Sequence, residues 1–289
     1  MSSSDPVVAF QGEMGAFSEM AARSYFCENV RVVPQSDFAG LFDAVAGGAC
    51  THGMVPIENS VMGSIHENYD LLLRQDLYIT GEIKLRIVHN LIVNPGVRME
   101  DVRQIYSQAP ALAQCTEFIR SAAGVEAVVA HDTAGAVKQI KEENARDAAA
   151  IASAQAAIDY DLEILREGLE NDRRNYTRFL VVASEPAEPV DPAKTTVVYS
   201  LDHVPGALFK SLGVFAMRNI NLLKIESRPL SGRPWEYVFY LDFEGHLASE
   251  ECRQAIDHLE KMASFLKILG SYALGETVEG SLRKKRVAP

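Results

Sequence analysis

Residues 185–194 read Glu-Pro-Ala-Glu-Pro-Val-Asp-Pro-Ala-Lys, with three prolines and three acids in one short stretch. Each proline lacks an amide donor and fixes its own φ, so the stretch can neither sit inside a sheet nor continue a helix. It reads as a semi-rigid linker that separates two differently patterned parts of the chain. A length of 289 residues agrees with that division, since a domain typically takes about 100–200 residues.

Before the linker, short apolar runs alternate with amphipathic ones. Residues 7–10, 30–33 and 52–57 have strand character, and each precedes a helical pattern, at 17–26, 38–46 and 65–73. This rhythm builds parallel sheets covered by helices. An extended segment, 78–93, interrupts it; a helix at 111–122, a strand at 125–130, a helix at 133–143 and a strand at 148–152 resume it. Two α/β lobes, the second spanning about 90–170, with a binding cleft between them, are the simplest architecture for 1–184. Beyond the linker the patterns run strand (195–201), helix (207–218), strand (222–227), strand (236–243), helix (250–263), strand (265–274), a ferredoxin-like βαββαβ order for residues 195–275, with 276–289 as a tail.

Composition excludes several functions. A net charge of -11 argues against nucleic acid, which needs clustered Lys and Arg. The one basic run, Arg283-Lys284-Lys285-Arg286, reads as a solvated terminus. Cys27, Cys50, Cys115 and Cys252 lie far apart and read as thiols in a reducing compartment. The histidines show no metal-ligand spacing, so no metal is expected. No signal-peptide core and no run near the ~18 apolar residues of a membrane span is present, so a cytoplasmic protein without membrane association is expected.

Several polar strings stand at element ends. Asn171 to Phe179 (Asn-Asp-Arg-Arg-Asn-Tyr-Thr-Arg-Phe) runs into the apolar Leu180-Val181-Val182-Ala183, the kind of junction where α/β chains place chemistry; Thr177 offers a neutral donor and Arg178 a cation. Pro56-Ile57-Glu58-Asn59-Ser60 ends a strand with three polar groups, although ordinary turn chemistry explains them equally well. Gly12 and Gly15 flank a turn into a helix start with Ser18, fitting either an anion-binding amide cluster or a plain tight turn with an N-cap. Ser107 opens a helix that carries Gln114, and Gly206-Ala207-Leu208 opens another whose amides suit a small carboxylate. Glu226-Ser227-Arg228-Pro229 closes a strand.

Together and in this order, these strings resemble those of the prephenate dehydratase family with its regulatory ACT domain, over 7 to about 275. Asn175-Tyr176-Thr177-Arg178-Phe179 is similar to the family's N-x-T-R-F string, Pro56 to Ser60 to its P-I-E-N-S block, and Glu226 to Pro229 to the E-S-R-P of phenylalanine-sensing ACT domains. The resemblance implies a periplasmic-binding-protein-like bilobal catalytic domain and an ACT domain. It implies a hydro-lyase that converts prephenate to phenylpyruvate, carbon dioxide and water without a cofactor. Thr177, Asn59, Ser107 and Gln114 match the family's active-site positions, with Ser60, Asn175, Arg178 and Phe179 expected on the substrate and Arg178 as a carboxylate anchor. L-Phenylalanine is expected to regulate the enzyme from between ACT modules of a homodimer or homotetramer, held by Gly206, Ala207, Leu208, Leu222, Leu223, Lys224, Ile225 and Glu226. Arogenate, the aminated analogue, is the alternative substrate, and a non-enzymatic amino-acid sensor is the alternative of another class. One departure is visible: where relatives read S-H-P-Q before A-L, this chain has Ser107-Gln108-Ala109-Pro110.

Overall fold

The computed structural model describes residues 5–27, 30–230 and 235–280; the basic run at 283–286 lies outside them. Packing divides the chain into two compact units. The first comprises the described residues up to Asn68, Ile83–Leu180 and the described residues from Glu276 on; the second comprises Tyr69–Glu82 and Val181–Gly275.

The first unit contains two lobes. In the sheet of the first lobe, Val7–Gln11 lies parallel to both Arg31–Gln35 and His52–Asn59. The order continues from His52–Asn59 to Tyr176–Ala183, Tyr78–Arg86 and Thr277–Val278. Helices Phe17–Phe26 and Phe38–Ala46 are the crossovers that parallel neighbours require. Thr277–Val278 pairs with Lys84 and Leu85, so the chain returns to this sheet after the linker and the ferredoxin-like region.

The sheet of the second lobe has the order Glu163–Arg166, Asn90–Val93, Ala148–Ala152, Gln104–Ser107, Glu126–Val129. Its central strand, Ala-Ala-Ala-Ile-Ala, is wholly buried; small side chains let helix Thr133–Glu142 pack close. The helix expected over 111–122 is two helices, Ala109–Gln114 and Thr116–Ser121, broken at Cys115 with φ -115° and ψ 22°. Asn171 stabilises the break. Its amide donates to the Gln114 carbonyl at 2.8 Å, and its side-chain oxygen accepts from the Glu117 amide at 3.1 Å. The groups that a continuous helix would pair internally are satisfied from a distant loop.

The second unit holds the expected βαββαβ order in an antiparallel sheet arranged Leu222–Pro229, Tyr237–Glu244, Ala193–Leu201, Ala263–Ala273. Its first strand begins at Ala193, two residues before the expected boundary, and Ala193 and Lys194 are buried. Helices Ala207–Ala216 and Glu250–Glu260 cover a core that includes Val197, Tyr199, Phe215, Leu241, Phe243 and Leu259. The segment Tyr69–Glu82 packs within this unit. The Tyr240 hydroxyl donates to the Tyr69 carbonyl at 2.7 Å, and Lys267 Nζ donates to the Leu73 and Gln75 carbonyls at 3.2 and 2.6 Å. Backbone of this segment lies so near Gly270 that a Cβ there would overlap the Ile79 carbonyl. Among the described residues, no helix is long and apolar enough to cross a membrane.

Glu82 and Lys194 form an ion pair at 2.7 Å, with side chains 0% and 5% exposed. Removing one partner of a buried pair strands the other charge in an apolar setting, at a cost of about 3–5 kcal/mol. Lys194→Ala is therefore expected to lower the denaturant midpoint by that equivalent. The double variant Lys194→Met with Glu82→Leu should recover only part of the loss, because the buried Asp242 carboxylate, 3.8 Å from Lys194 Nζ, loses that cation as well.

Candidate active site

A cavity of about 370 Å³ opens between the two lobes of the first unit. Its walls come from strand ends of the first lobe, including Asn59, Thr177 and Phe179, and from helix starts of the second, including Ala111 and Thr133. Thr177 and Phe179 lie two apart on strand Tyr176–Ala183 and share the cavity face because side chains alternate along a strand.

Asn59, the last residue of strand His52–Asn59, organises the floor. Its Oδ1 accepts from the Val61 and Met62 amides at 3.0 and 2.9 Å, which settles which end of the side chain is oxygen. Its Nδ2 then donates to Asn175 Oδ1 at 2.7 Å and to Thr177 Oγ1 at 3.0 Å. Since Thr177 accepts from Asn59, its own hydrogen is left to donate elsewhere, and the cavity is the space it lines. Gln114, from the second lobe, donates through Nε2 to Asn59 Oδ1 at 3.2 Å. Its Oε1 accepts from Asn175 Nδ2 at 2.9 Å and meets His89 Nε2 at 2.7 Å. An amide oxygen only accepts, so His89 carries its proton on Nε2.

The chain matches the family model for prephenate dehydratase over residues 8–187. It belongs to the prephenate dehydratase family. It is 47% identical over 282 residues to arogenate dehydratase/prephenate dehydratase 2, chloroplastic, of Arabidopsis thaliana, covering 94% of this chain and 74% of that protein. Among solved structures it resembles the prephenate dehydratase of Arthrobacter aurescens in complex with L-Phe, at a TM-score of 0.85 and 31% identity over 93% of this chain and 90% of the other. It also resembles GqqA, described as a novel type of quorum quenching acylase, at a TM-score of 0.83 and 34% identity over 92% and 97% of the two chains.

Within this member of the family, Thr177, Asn59, Gln114 and Phe179 meet at the cavity, and Asn175 sits directly behind it, fully buried, joining Asn59 to Gln114. Arg178 is not brought there. With Thr177 and Phe179 facing the cavity, strand alternation turns Arg178 to the opposite face, and the carboxylate contact expected of it has no support in this geometry. Ser107 also stays outside the lining: it is fully buried and donates to the Ile151 carbonyl at 2.6 Å, tying two strands of the second sheet together. Ser60 fastens two strands of the first, accepting from the Tyr176 amide at 2.9 Å and donating to the Arg174 carbonyl at 2.8 Å. Gly15 has a positive φ of 88°, and a Cβ on it would stand 2.7 Å from the Ala156 Cα, so the turn depends on glycine for close approach as well as conformation.

Several cavity residues escaped the sequence reading. His89 and Asp132 line the cavity, and Ser18, read there only as half of an ambiguous turn, lines it with Ala16 and Phe17 at the start of helix Phe17–Phe26. Asp132 carried a legible signal, since Asp-Thr-Ala-Gly has helix-cap spacing, but caps are common and His89 had no signal at all. Burial holds the His89 imidazole below the ordinary histidine value, against smaller upward pulls from the Gln114 hydrogen bond and the Glu170 charge. Among the described residues its Nδ1 has no hydrogen-bond partner. Burial likewise pushes the neighbouring Cys115 thiol up to about 12, so it is no nucleophile at neutral pH.

The depressed His89 value has a consequence for stability. Below the ordinary histidine value the unfolded chain takes up a proton that the native site resists, so native stability falls as pH drops from about 6.5 toward the native value. His89→Gln keeps an N–H donor for Gln114 and removes the titration. Thermal melting followed from pH 7.5 to 5 should show a smaller acid-side decline for this variant than for the wild type.

Proposed function

We propose that the chain is a dehydratase that converts prephenate to phenylpyruvate, carbon dioxide and water. The orientation of Thr177 carries this reading: its oxygen accepts from Asn59, and its proton is free for a group in the cavity. Prephenate carries a ring hydroxyl that leaves as water and a ring carboxylate that leaves as carbon dioxide, and aromatisation drives the change once the hydroxyl departs. An aliphatic hydroxyl is too weak an acid to give its proton up outright, so Thr177 supplies a positioned hydrogen bond to the developing hydroxide or relays a proton. Assistance of this kind contributes roughly 10²–10⁴-fold. Asn59 and Gln114 are preorganised dipoles beside it, fixed by the network before substrate arrives. The Phe17 and Ser18 amides at the start of helix Phe17–Phe26, with the Ser18 hydroxyl, suit a substrate carboxylate.

Arogenate is a second reading. The Arabidopsis relative is described as acting as arogenate dehydratase as well as prephenate dehydratase, and the charge of the cavity favours an amino group, as developed below. The four free cysteines suit a reducing compartment such as the cytoplasm; the Arabidopsis relative is described as chloroplastic.

The second unit reads as an ACT-type regulatory domain for L-phenylalanine, the ligand described in the Arthrobacter aurescens structure. Gly206, with φ 81°, starts helix Ala207–Ala216; the Ala207 amide donates to the Val204 carbonyl at 3.2 Å, and Leu208 presents a first-turn amide. Leu222–Pro229 is an edge strand that carries Leu222, Leu223, Lys224, Ile225 and Glu226; Leu223 is 39% and Ile225 45% exposed. An unpaired edge bearing exposed apolar side chains suits a second copy, with the effector held between the helix start of one chain and the strand of its partner. That arrangement needs a homodimer or a homotetramer. Inhibition follows if phenylalanine binds one quaternary arrangement better than another.

Purified protein is expected to form phenylpyruvate from prephenate in a direct assay. Thr177→Ala should lower kcat by roughly 10²–10⁴-fold with a smaller change in KM, while Thr177→Ser keeps part of the rate. Near-full kcat in the alanine variant sinks the leaving-group role.

A separate assay addresses regulation. Gly206→Ala strains the left-handed helix start by about 1–2 kcal/mol, so the phenylalanine concentration giving half inhibition should rise about tenfold. Inhibition that is competitive with substrate and unmoved by this variant would place phenylalanine in the active-site cavity instead.

A further inference from the structure

We infer that Asp132 determines substrate preference: its carboxylate is placed to hold an α-ammonium group, so the cavity favours the amino-acid form of the substrate, arogenate, over the 2-keto acid form, prephenate. This rests on the dehydratase reading and narrows it.

Among the described residues the cavity is lined by one carboxylate, Asp132, and by no Lys or Arg. His89 supplies no cation, because burial holds it neutral. Lys138, the cation whose charge couples to Asp132, has its ammonium on Glu13 Oε1 at 3.0 Å, and the two neutralise one another. Prephenate is a dianion; a site with one buried carboxylate and no cation sets like charge against like. Arogenate carries the same two carboxylates and an ammonium, which turns that carboxylate from a penalty into a partner.

Asp132 is only 7% exposed, at the mouth of helix Thr133–Glu142. Its Oδ1 accepts from the Gly135 amide at 2.7 Å as the helix cap. Oδ2 accepts no hydrogen bond from the described residues, and the side chain lines the cavity. Across the turn, a Cβ on Gly12 would stand 3.6 Å from Asp132 Oδ1, so this glycine keeps the loop opposite free of side chain. The cap holds one oxygen and so orients the carboxylate, while the other is available to a ligand.

Helix capping and substrate recognition can be separated, because Asn and Ser cap helices as well as Asp does but carry no charge. The test measures kcat/KM for arogenate and for prephenate on the full chain, in the wild type, Asp132→Asn and Asp132→Ser, with thermal melting as the check on folding. The wild type should prefer arogenate. A charge-assisted hydrogen bond is lost in the variants, so the arogenate-to-prephenate ratio of kcat/KM should fall by about 10- to 100-fold. Two cap-competent replacements guard against one failing to fold. A ratio within about twofold of the wild type in both, or a wild type that prefers prephenate, overturns the assignment while leaving the dehydratase reading intact. A wild type that turns over neither substrate overturns both.

Discussion

The amide of Asn59 is the interaction on which the active site depends. Its oxygen is claimed by the Val61 and Met62 backbone amides, so its nitrogen can point only toward Asn175 and Thr177. From that one orientation the rest follows in sequence. Asn175 presents its own nitrogen to Gln114, Gln114 presents its nitrogen back to Asn59, and His89 supplies the remaining donor to Gln114. A ring in which each amide nitrogen donates to a neighbouring amide oxygen has one low-energy arrangement, and reversing any member leaves buried groups facing like groups. The same ring joins the two lobes, because Asn59 and Thr177 come from the first sheet and Gln114 from the helix after Ser107. The hydrogen-bond polarity of Thr177 is thus set by backbone amides that never touch the substrate.

Most of the architecture was legible because it follows from periodicity. Alternating strands and helices announced the lobes, the βαββαβ order announced the ferredoxin-like region, and Ala148–Ala152 fell where expected. The break at Cys115 was not legible, since it depends on Asn171, more than fifty residues away in sequence. Nor was the membership of Tyr69–Glu82 in the second unit: its anchors, Lys194, Tyr240 and Lys267, are separated from it by over a hundred residues. Thr177, Asn59 and Gln114 were singled out through the resemblance of their strings, and the three line the cavity. Arg178 was expected on the substrate but is not among the lining residues, in keeping with a rule available from the sequence, that consecutive residues of a strand face opposite ways. Ser107 matched by string too, yet its hydroxyl is committed to Ile151.

The lack of Lys and Arg among the described residues that line the cavity bears on the chemistry as well as on selectivity. In the proposed reaction the ring carboxylate ends as neutral carbon dioxide, so its charge disappears along the reaction coordinate. A guanidinium paired with that carboxylate would hold the ground state more strongly than the transition state and raise the barrier, whatever it did for affinity. Neutral donors grip such a group less tightly. The charge that grows during the reaction is on the departing hydroxyl, the group proposed for Thr177, which is backed by Asn59 in a largely buried setting where a hydrogen bond is stronger than in water. An arginine turned away on the adjoining position and a threonine turned inward are therefore the arrangement that this chemistry calls for: weak hold on the charge that must vanish, firm hold on the charge that must form.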